Sequence, residues 1–239
     1  MVTRIVVGFF ETNCYIYTER DVCLVVDPGG DPERIAAEVE ASGCVFWGIA
    51  LTHGHLDHTM AAGALIDIHD RGDSGPAAAG DPAASASAHR AGPKVAVHRL
   101  DAKYLGESGI AESRKLLGAL GLPADFGSEL PLRHVLPEAD ILLQEGDRLF
   151  GTDLEVIETP GHTAGGCSFY SRSRGVLFSG DALFAAGIGR ADLPDGDPDQ
   201  LIRAIRTKLF SLPPETVVYP GHGPETTIGR EMRGNPFLT

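Results

Sequence analysis

The sequence predicts an α/β sandwich built as one domain over residues 1–239. Strand-type and helix-type segments alternate along the chain, which is typical of α/β folds. Several strand segments are apolar along most of their length, as expected for strands covered on both faces. Strand-rich and helix-bearing blocks occur twice, which is compatible with two packed halves. A chain of 239 residues is long enough to bury one large core.

The first part of the chain contains four predicted strands and two predicted helices. Asp31 is predicted as the N-cap of the first helix, Pro32 occupies its first position, and Gly43 ends it. The second helix is predicted over residues 58–69. The predicted strands are TRIVVGF (3–9), NCYIYT (13–18), VCLVVD (22–27) and CVFWGIALT (44–52).

Residues 70–93 differ in character from their surroundings. They are rich in Ala, Gly, Ser, Asp and Pro and hold no large apolar side chain. Such a segment buries too little apolar surface to order itself, so we expect a flexible insertion. The segment follows the predicted helix over residues 58–69, which runs back along the sheet. We therefore expect the segment at the sheet edge opposite the one where the strand over residues 44–52 ends.

In the second half of the chain, the sequence predicts a meander of strands followed by a helix and a last strand. A strand over residues 94–98 precedes a connection, residues 99–138, that leaves from the same sheet edge as residue 52 and holds one predicted helix, residues 111–120. We expect this connection to form a wall on the substrate side. The remaining predictions are strands over 141–149, 154–160, 166–171, 174–181 and 216–220, and a helix over 198–212.

The charge and the cysteines restrict the partners and the compartment. A formal net charge of −13 argues against nucleic acid or an anionic membrane as a partner. The cysteines show no CxxC spacing, no stretch reaches membrane-spanning length, and no signal peptide is recognisable. We therefore expect a cytoplasmic protein with reduced thiols, a small-molecule substrate, and a monomeric or small homo-oligomeric state.

Residues 51–60, LTHGHLDHTM, place four ligand-type side chains directly after an apolar strand. Polar groups crowded at a buried strand end are costly unless something satisfies them, and a divalent metal does so. The spacing suits two ions. His53 and His55 alternate in an extended loop and can share one ion, whereas Asp57 and His58 lie further on and can reach a second.

Three more ligand-type residues follow predicted strands. His162 follows a strand in VIETPGHT, Asp181 follows one in VLFSGDA, and His222 follows one in VVYPGHG, each directly after a glycine. Strand ends of this kind gather at one edge of an α/β sheet. The sequence therefore predicts one metal centre to which four strand ends contribute.

The HxHxDH pattern at residues 53–58, together with His162, Asp181 and His222, resembles the metallo-β-lactamase superfamily. Within it, DPGG, PGHTAGGCSFY, SGDALFAAGIGRADLPDGD and PGHGPETTIGRE resemble the glyoxalase II-like, or hydroxyacylglutathione hydrolase-like, branch of short bacterial type. The resemblance implies an αββα sandwich with the metal site at one edge. It also implies that His53, His55 and His162 hold a first ion, that Asp57, His58 and His222 hold a second, and that Asp181 bridges them.

The resemblance further implies a dinuclear metal-dependent hydrolase of thioesters, such as S-lactoylglutathione, that uses a metal-bound hydroxide. Asp57 and Asp181 would be the catalytic carboxylates, and the two divalent ions would be zinc, with iron or manganese as alternatives. Arg190 in GIGRADL stands where the family places a basic residue near the thiol substrate, although a surface salt bridge explains it equally well. Cys167 follows His162 closely, and a core thiol is the preferred interpretation.

A different enzyme class also resembles this sequence. Persulfide dioxygenases share the GDAL…GRxD stretch and use one iron, which here would be held by His55, His162 and Asp181. An RNA-processing nuclease would need a basic groove, which the charge disfavours. A β-lactamase would usually carry an export signal, and a non-catalytic relative would be expected to have lost a ligand. The number and kind of bound metals separate the two leading hypotheses.

Overall fold

The computed structural model describes residues 1–71, 92–121 and 136–238. Two β-sheets lie face to face, and helices cover both outer faces. This αββα arrangement confirms the predicted α/β sandwich. The single-domain assignment over residues 1–239 stays a prediction, and most of the predicted insertion at 70–93 lies outside the described residues.

The first sheet has six strands in the order of the chain. The first three pair antiparallel, and the third to the sixth run parallel to one another. The strands are β1 (Val2–Val7), β2 (Thr12–Glu19), β3 (Val22–Val26), β4 (Val45–Ala50), β5 (Lys94–His98) and β6 (Ile141–Leu143).

The second sheet has five strands, and a short hairpin stands beside it. Its strands are β7 (Leu154–Glu158), β8 (Cys167–Ser171), β9 (Val176–Gly180), β12 (Val217–Pro220) and β13 (Thr226–Thr227), in the order β13-β12-β9-β8-β7. The hairpin consists of β10 (Leu183–Phe184) and β11 (Gly187–Ile188). β12 runs parallel to β9, and β7 and β9 are both antiparallel to β8. β7, β9 and β12 therefore end at the same edge.

Six α-helices and two 3-10 turns complete the described part. The helices are α1 (Pro32–Ala41), α2 (Leu56–Thr59), α3 (Ala62–Arg71), α4 (Gly106–Ala119), α5 (Pro198–Thr207) and α6 (Ile228–Gly234). The 3-10 turns cover Ala102–Tyr104 and Leu209–Ser211. Among the residues described, no helix has the length and apolar character needed to cross a bilayer.

The alternation of side chains along each strand explains why the strands are apolar throughout. In β2, Tyr15 and Tyr17 pack between the two sheets, whereas Cys14 and Ile16 pack under the helices of the outer layer. β9 does the same with Phe178 between the sheets and its neighbours toward α5 and α6. Because both faces of each sheet are covered, both sets of side chains are apolar.

The predicted helix over residues 58–69 is wrong in one respect, because the structure divides it. α2 begins before the predicted start, and α3 begins only at Ala62. The backbone N–H of Ala61 donates to the carbonyl of Pro28 at 2.9 Å instead of extending α2. This bond ties the chain after the histidine loop to the loop after β3.

Other predicted boundaries also shift. The strand predicted over 141–149 ends at Leu143, because Gly146 adopts a positive φ of 81° within a turn that the Asp147 carboxylate holds by accepting from Gln144 N–H. The helix predicted over 111–120 begins at Gly106, and the one over 198–212 becomes α5 and a 3-10 turn. Asp31 is the N-cap of α1 by position, but its carboxylate accepts from Gly8 N–H rather than from the helix.

Candidate metal centre

All seven predicted ligand residues lie together where strands of both sheets end. The loop after β4 carries His53, His55, Asp57 and His58, and the other three residues follow β7, β9 and β12. Their side chains form groups whose potential ligand atoms lie within 4.8 Å of one another: His53 with His55 and His162, His53 with His58 and Asp181, and Asp57 with His58 and His222. The groups share members, so they form one continuous centre.

We call His53, His55 and His162 the first group and Asp57, His58 and His222 the second group, and Asp181 lies between them. Its Oδ1 is 3.4 Å from His58 Nε2, and its Oδ2 is 3.6 Å from His162 Nε2 and 3.7 Å from His222 Nε2. Asp57 Oδ2 is 3.3 Å from His222 Nε2. One carboxylate therefore faces both groups, and the other faces only the second.

Hydrogen bonds on the far side of three imidazoles fix which nitrogen faces the centre. His162 Nδ1 donates to the carbonyl of Arg190 at 2.6 Å, and His58 Nδ1 donates to Asp27 Oδ2 at 3.0 Å. The Thr52 hydroxyl donates its hydrogen to Asp27 at 2.7 Å, so His53 Nδ1 donates to the Thr52 oxygen at 3.1 Å. Each ring consequently directs its Nε2 into the centre.

His55 is oriented differently from the other three rings. Its Nδ1 faces His162 Nε2 at 3.0 Å, and its ring packs edge-on against Tyr104 with 5.8 Å between the centroids. Two imidazole nitrogens at this distance require a proton or a cation between them, because their lone pairs repel. Either a hydrogen bond between the two rings or a shared cation satisfies this contact.

Burial and the neighbouring charges divide the histidines into two kinds. Burial and the neighbouring imidazoles hold the pKa of His53 well below its usual range and lower the pKa of His55 to about 3. Burial alone would lower the pKa of His58, but the carboxylates of Asp57, Asp181 and Asp27 outweigh it and raise that pKa. His53 and His55 thus present neutral nitrogens, whereas His58 is paired with carboxylates.

Several buried atoms in this cluster have no hydrogen-bond partner in the described part of the chain. They are His53 Nε2, His55 Nε2, His58 Nε2 and Asp181 Oδ1. Unsatisfied buried polar atoms are costly and rare in folded proteins, and three of the four residues, His53, His58 and Asp181, belong to one group of potential ligands. Imidazole nitrogens and carboxylate oxygens are the donors that zinc, iron and manganese accept. The residues present therefore fit divalent metal ions.

The centre opens toward solvent on the side of the second group. The side chains of Asp57 and His222 are 22% and 29% exposed, whereas His53, His55, His58 and His162 are buried. Phe184 of the β10–β11 hairpin packs edge-on against His222, with 6.3 Å between the ring centroids. A substrate would approach past these groups.

Two buried carboxylates that support the site were missed by the sequence interpretation. Asp27 ends β3 and accepts from Thr52 N–H at 2.8 Å, from the Thr52 hydroxyl and from His58. Asp101 follows β5 and contacts the loops of both His53 and His162. Both follow strands that end at the ligand edge, and DPGG at residues 27–30 was noted only as part of the resemblance.

Arg190 contributes to the centre through its backbone. Its carbonyl accepts from His162, while its guanidinium forms two hydrogen bonds, of 2.8 and 2.9 Å, with the Asp192 carboxylate. The side chain is half exposed. The predicted substrate-binding role of Arg190 is thus untested, and its side chain forms the surface ion pair that the sequence also allowed.

Part of the connection after β5 lies beside His55, and its role as a wall on the substrate side stays a prediction. The Tyr104 hydroxyl donates to Asp195 Oδ2 at 2.8 Å, and Lys103 pairs with the same carboxylate. These contacts join the 3-10 turn over Ala102–Tyr104 to the loop that carries Arg190. Residues 122–135 of the connection lie outside the described part of the chain.

Comparison with known proteins identifies the class. The family profile of the Metallo-beta-lactamase superfamily matches residues 7–73 and 83–222. The chain is 35% identical over 230 residues to the hydroxyacylglutathione hydrolase GloC of Haemophilus influenzae, covering 96% of this chain and 93% of that protein. The crystal structure of BLEG-1 B3 metallo-beta-lactamase superposes with a TM-score of 0.77 at 34% identity, covering all of both chains. TTHA1623 in a di-iron-bound form superposes with a TM-score of 0.74 at 33% identity, covering 99% of this chain and all of that one.

The chain therefore belongs to the metallo-β-lactamase superfamily, and the resemblance inferred from its motifs is confirmed. The superfamily and the hydrolase-named relative support a metal-dependent hydrolase, and the fold implies divalent metal ions. Residues 74–82, between the two matched segments, fall within the segment predicted as an insertion.

Proposed function

We propose that this chain is a dinuclear, metal-dependent thioester hydrolase of glyoxalase II type. The observation that carries the proposal is the position of Asp181, whose two oxygens face the histidines of both groups. His53, His55 and His162 would hold one ion, and Asp57, His58 and His222 would hold the other. The two carboxylates Asp57 and Asp181 supply negative charge that offsets the charge of the ions.

Zinc fits these all-nitrogen and oxygen donors, and iron or manganese fits them nearly as well. Divalent ions bound there would lower the pKa of a water molecule and polarise a substrate carbonyl. Asp57 is the acidic side chain on the open side of the centre. Burial would raise the pKa of Asp57, but the neighbouring imidazoles of His58 and His222 outweigh burial and hold this pKa below its usual range. Its carboxylate can therefore accept a hydrogen bond from an incoming water and orient it toward the acyl carbon.

The described side chains around the centre favour a substrate with a good leaving group. Cys167 and Ser179 lie beside the histidines. Burial raises the pKa of the Cys167 thiol, and this thiol donates to the carbonyl of Thr52 at 3.3 Å. The Ser179 hydroxyl donates to the carbonyl of Leu183 at 2.8 Å. Neither is placed as a nucleophile. A thiolate, with a pKa near ~8.5, leaves without strong general-acid assistance, which supports a thioester.

The name of the relative from Haemophilus influenzae supports the same substrate class, a hydroxyacyl thioester of glutathione. The guanidinium of Arg190 is the group we propose to meet a carboxylate of that substrate, which would have to compete with Asp192. A small molecule of this kind is the proposed partner, with no role for nucleic acid or membrane.

A mononuclear iron persulfide dioxygenase remains the second hypothesis. Its iron would be held by His55, His162 and Asp181. The buried Nε2 atoms of His53 and His58, which have no hydrogen-bond partner among the described residues, would then not be used by the metal. This observation favours the dinuclear hydrolase.

Elemental analysis of protein purified without added metal, together with an S-lactoylglutathione hydrolysis assay on the same sample, tests the proposal. We expect two metals per chain and thioester turnover. One iron per chain, no turnover, and oxygen uptake with glutathione persulfide would transfer the protein to the dioxygenase class. A β-lactam should be included because BLEG-1 is titled a B3 metallo-beta-lactamase. Turnover of the β-lactam without the thioester would overturn the proposed substrate.

A further inference from the structure

Asp101 is a buried carboxylate that joins the two loops carrying the first group of histidines. It is fully buried and follows β5, outside the set of ligand-type residues. Its Oδ2 accepts from Gly54 N–H at 2.9 Å and from the Thr163 hydroxyl at 2.7 Å, and its Oδ1 accepts from Gly165 N–H at 2.7 Å. Its own N–H is bonded to the carbonyl of His98, which fixes it to the end of β5.

Two of these three donors adjoin the histidines in the chain, and the third, Gly165, lies three positions after His162. Gly54 separates His53 from His55, and Thr163 follows His162. The first histidine loop extends from the first sheet and the second from the other sheet, so Asp101 holds together backbone segments of both halves. The space around the carboxylate is fully used, because a Cβ at Gly165 would lie 2.5 Å from Asp101 Oδ1.

We infer that Asp101 is a positioning residue that holds His53, His55 and His162 in register as one binding group. Hydrogen bonds from a buried carboxylate to two main-chain N–H groups and a hydroxyl leave these loops few alternative arrangements. The residue acts through the backbone N–H groups of Gly54 and Gly165 and the hydroxyl of Thr163, and these bonds involve no histidine ring. This inference rests on the proposed metal centre.

Asp101→Asn tests the role with minimal change of shape. The amide keeps one acceptor and replaces the other with a donor, which then faces an N–H or hydroxyl donor. Supporting residues around metal sites typically change metal affinity by 10–100-fold. We expect the affinity for the ion at the first group to fall by about 10-fold or more, while the second group keeps its ion.

Asp153→Asn is the matched control. Asp153 accepts from the Tyr17 hydroxyl at 2.6 Å and the Ser171 hydroxyl at 2.7 Å, and it precedes β7, at the edge opposite the centre. The Asp153→Asn substitution thus perturbs comparable hydrogen bonds far from the histidines. We expect it to bind both ions as the wild type does.

The readout is Co²⁺ retained per chain after a graded chelator challenge, with the visible d–d spectrum recorded at each step. Wild type and Asp153→Asn should retain two ions, and Asp101→Asn should retain one whose spectrum matches that of His162→Ala, in which the first group is broken. Wild-type affinity in Asp101→Asn, or equal loss in Asp153→Asn, would overturn the positioning role. A wild type that binds fewer than two ions would instead overturn the proposed dinuclear function.

Thr163→Val covers the case in which Asp101→Asn does not fold. It removes one of the three donors and leaves the carboxylate and both N–H bonds in place. We expect a weaker shift in the same direction, confined to the first ion. Unchanged retention of that ion in Thr163→Val would count against the role.

Discussion

One carboxylate, Asp27, orients two histidines from behind. It accepts from His58 Nδ1 and also from the Thr52 hydroxyl, whose oxygen in turn accepts from His53 Nδ1. His53 belongs to the first group and His58 to the second, and both rings also lie within reach of Asp181. A single residue at the end of β3 therefore fixes which nitrogen of each ring is free.

Asp27→Asn should weaken metal binding at both groups, because an amide places a donor where His58 or Thr52 also donates. We expect affinity to fall by roughly 10–100-fold, as is typical of groups that orient ligating histidines. Competition with a chelator of known affinity measures it. Asp31→Asn is the control. Asp31 lies four residues after Asp27, outside the centre, and its carboxylate accepts from Gly8 N–H. Equal affinities in the two variants would show that Asp27 does not orient the rings.

Asp181→Ala should abolish metal binding at one or both positions. The change removes the carboxylate that faces both groups and leaves the buried histidines without the charge that balances a cation. Elemental analysis of the purified variant gives the result directly. Full occupancy in the variant would contradict the assignment of Asp181 as the bridging ligand.

The sequence predicted the residues of the centre but not the residues that support them. Histidines are rare enough that three within six positions stand out, and the glycines before Asp181 and His222 indicate tight turns after strands. Asp27 and Asp101 carry no such signal, because an aspartate after a strand is equally typical of a turn. The carbonyl of Arg190, which orients His162, could not be predicted from side-chain chemistry at all.

Among the elements, the break between α2 and α3 is a feature that the local sequence pattern did not predict. The residues of the predicted helix have ordinary helical character, and the break at Ala61 is caused by a bond to Pro28, which is 33 positions away in the chain. Strand prediction was accurate where both faces are buried, as in β2 and β9, because the apolar run is unbroken. β6, whose Leu142 is exposed at the sheet edge, is much shorter than predicted.

Asp153 links β2, β7 and β8 and makes the stability of these elements depend on pH. Burial opposes ionisation, but hydrogen bonds from Ser173, Tyr17 and Ser171 lower the pKa of Asp153 to about 2. The value in the unfolded chain is near ~3.9. Because the folded-state pKa is the lower one, this stabilisation is complete above pH ~4 and is lost as the pH falls toward 2.

Asp153→Asn should therefore flatten the decline in unfolding free energy between pH 4 and 2, by about 1 kcal/mol after solvent screening. Urea unfolding of the metal-free protein at a series of pH values measures the slope. Asp31→Asn, in which an exposed loop carboxylate is changed, should keep the wild-type slope. A slope unchanged in Asp153→Asn would mean that other carboxylates dominate acid unfolding.

At the scale of the molecule, the centre is where the two halves meet. His53, His55, Asp57 and His58 extend from the first sheet, and His162, Asp181 and His222 extend from the second. Hydrogen bonds near the centre also connect the two sheets. Asn13 of β2 donates through its backbone N–H to the carbonyl of Gly221 at 2.7 Å and through its side chain to the carbonyl of Pro220 at 2.9 Å. An ion held by residues of both halves would link the two sheets as well as form a reaction site.

Removal of metal should consequently lower the melting temperature of the whole molecule in one transition. A ligand that binds only the native state stabilises it by RT ln(1 + [L]/Kd), which is about 4 kcal/mol at a concentration 1,000 times Kd. For a chain of this size that corresponds to roughly 10 °C. Calorimetry with and without a chelator measures the shift, and Asp181→Ala should respond less than the wild type. Two separate transitions, with only one sensitive to metal, would show that the halves unfold independently and that the centre does not couple them.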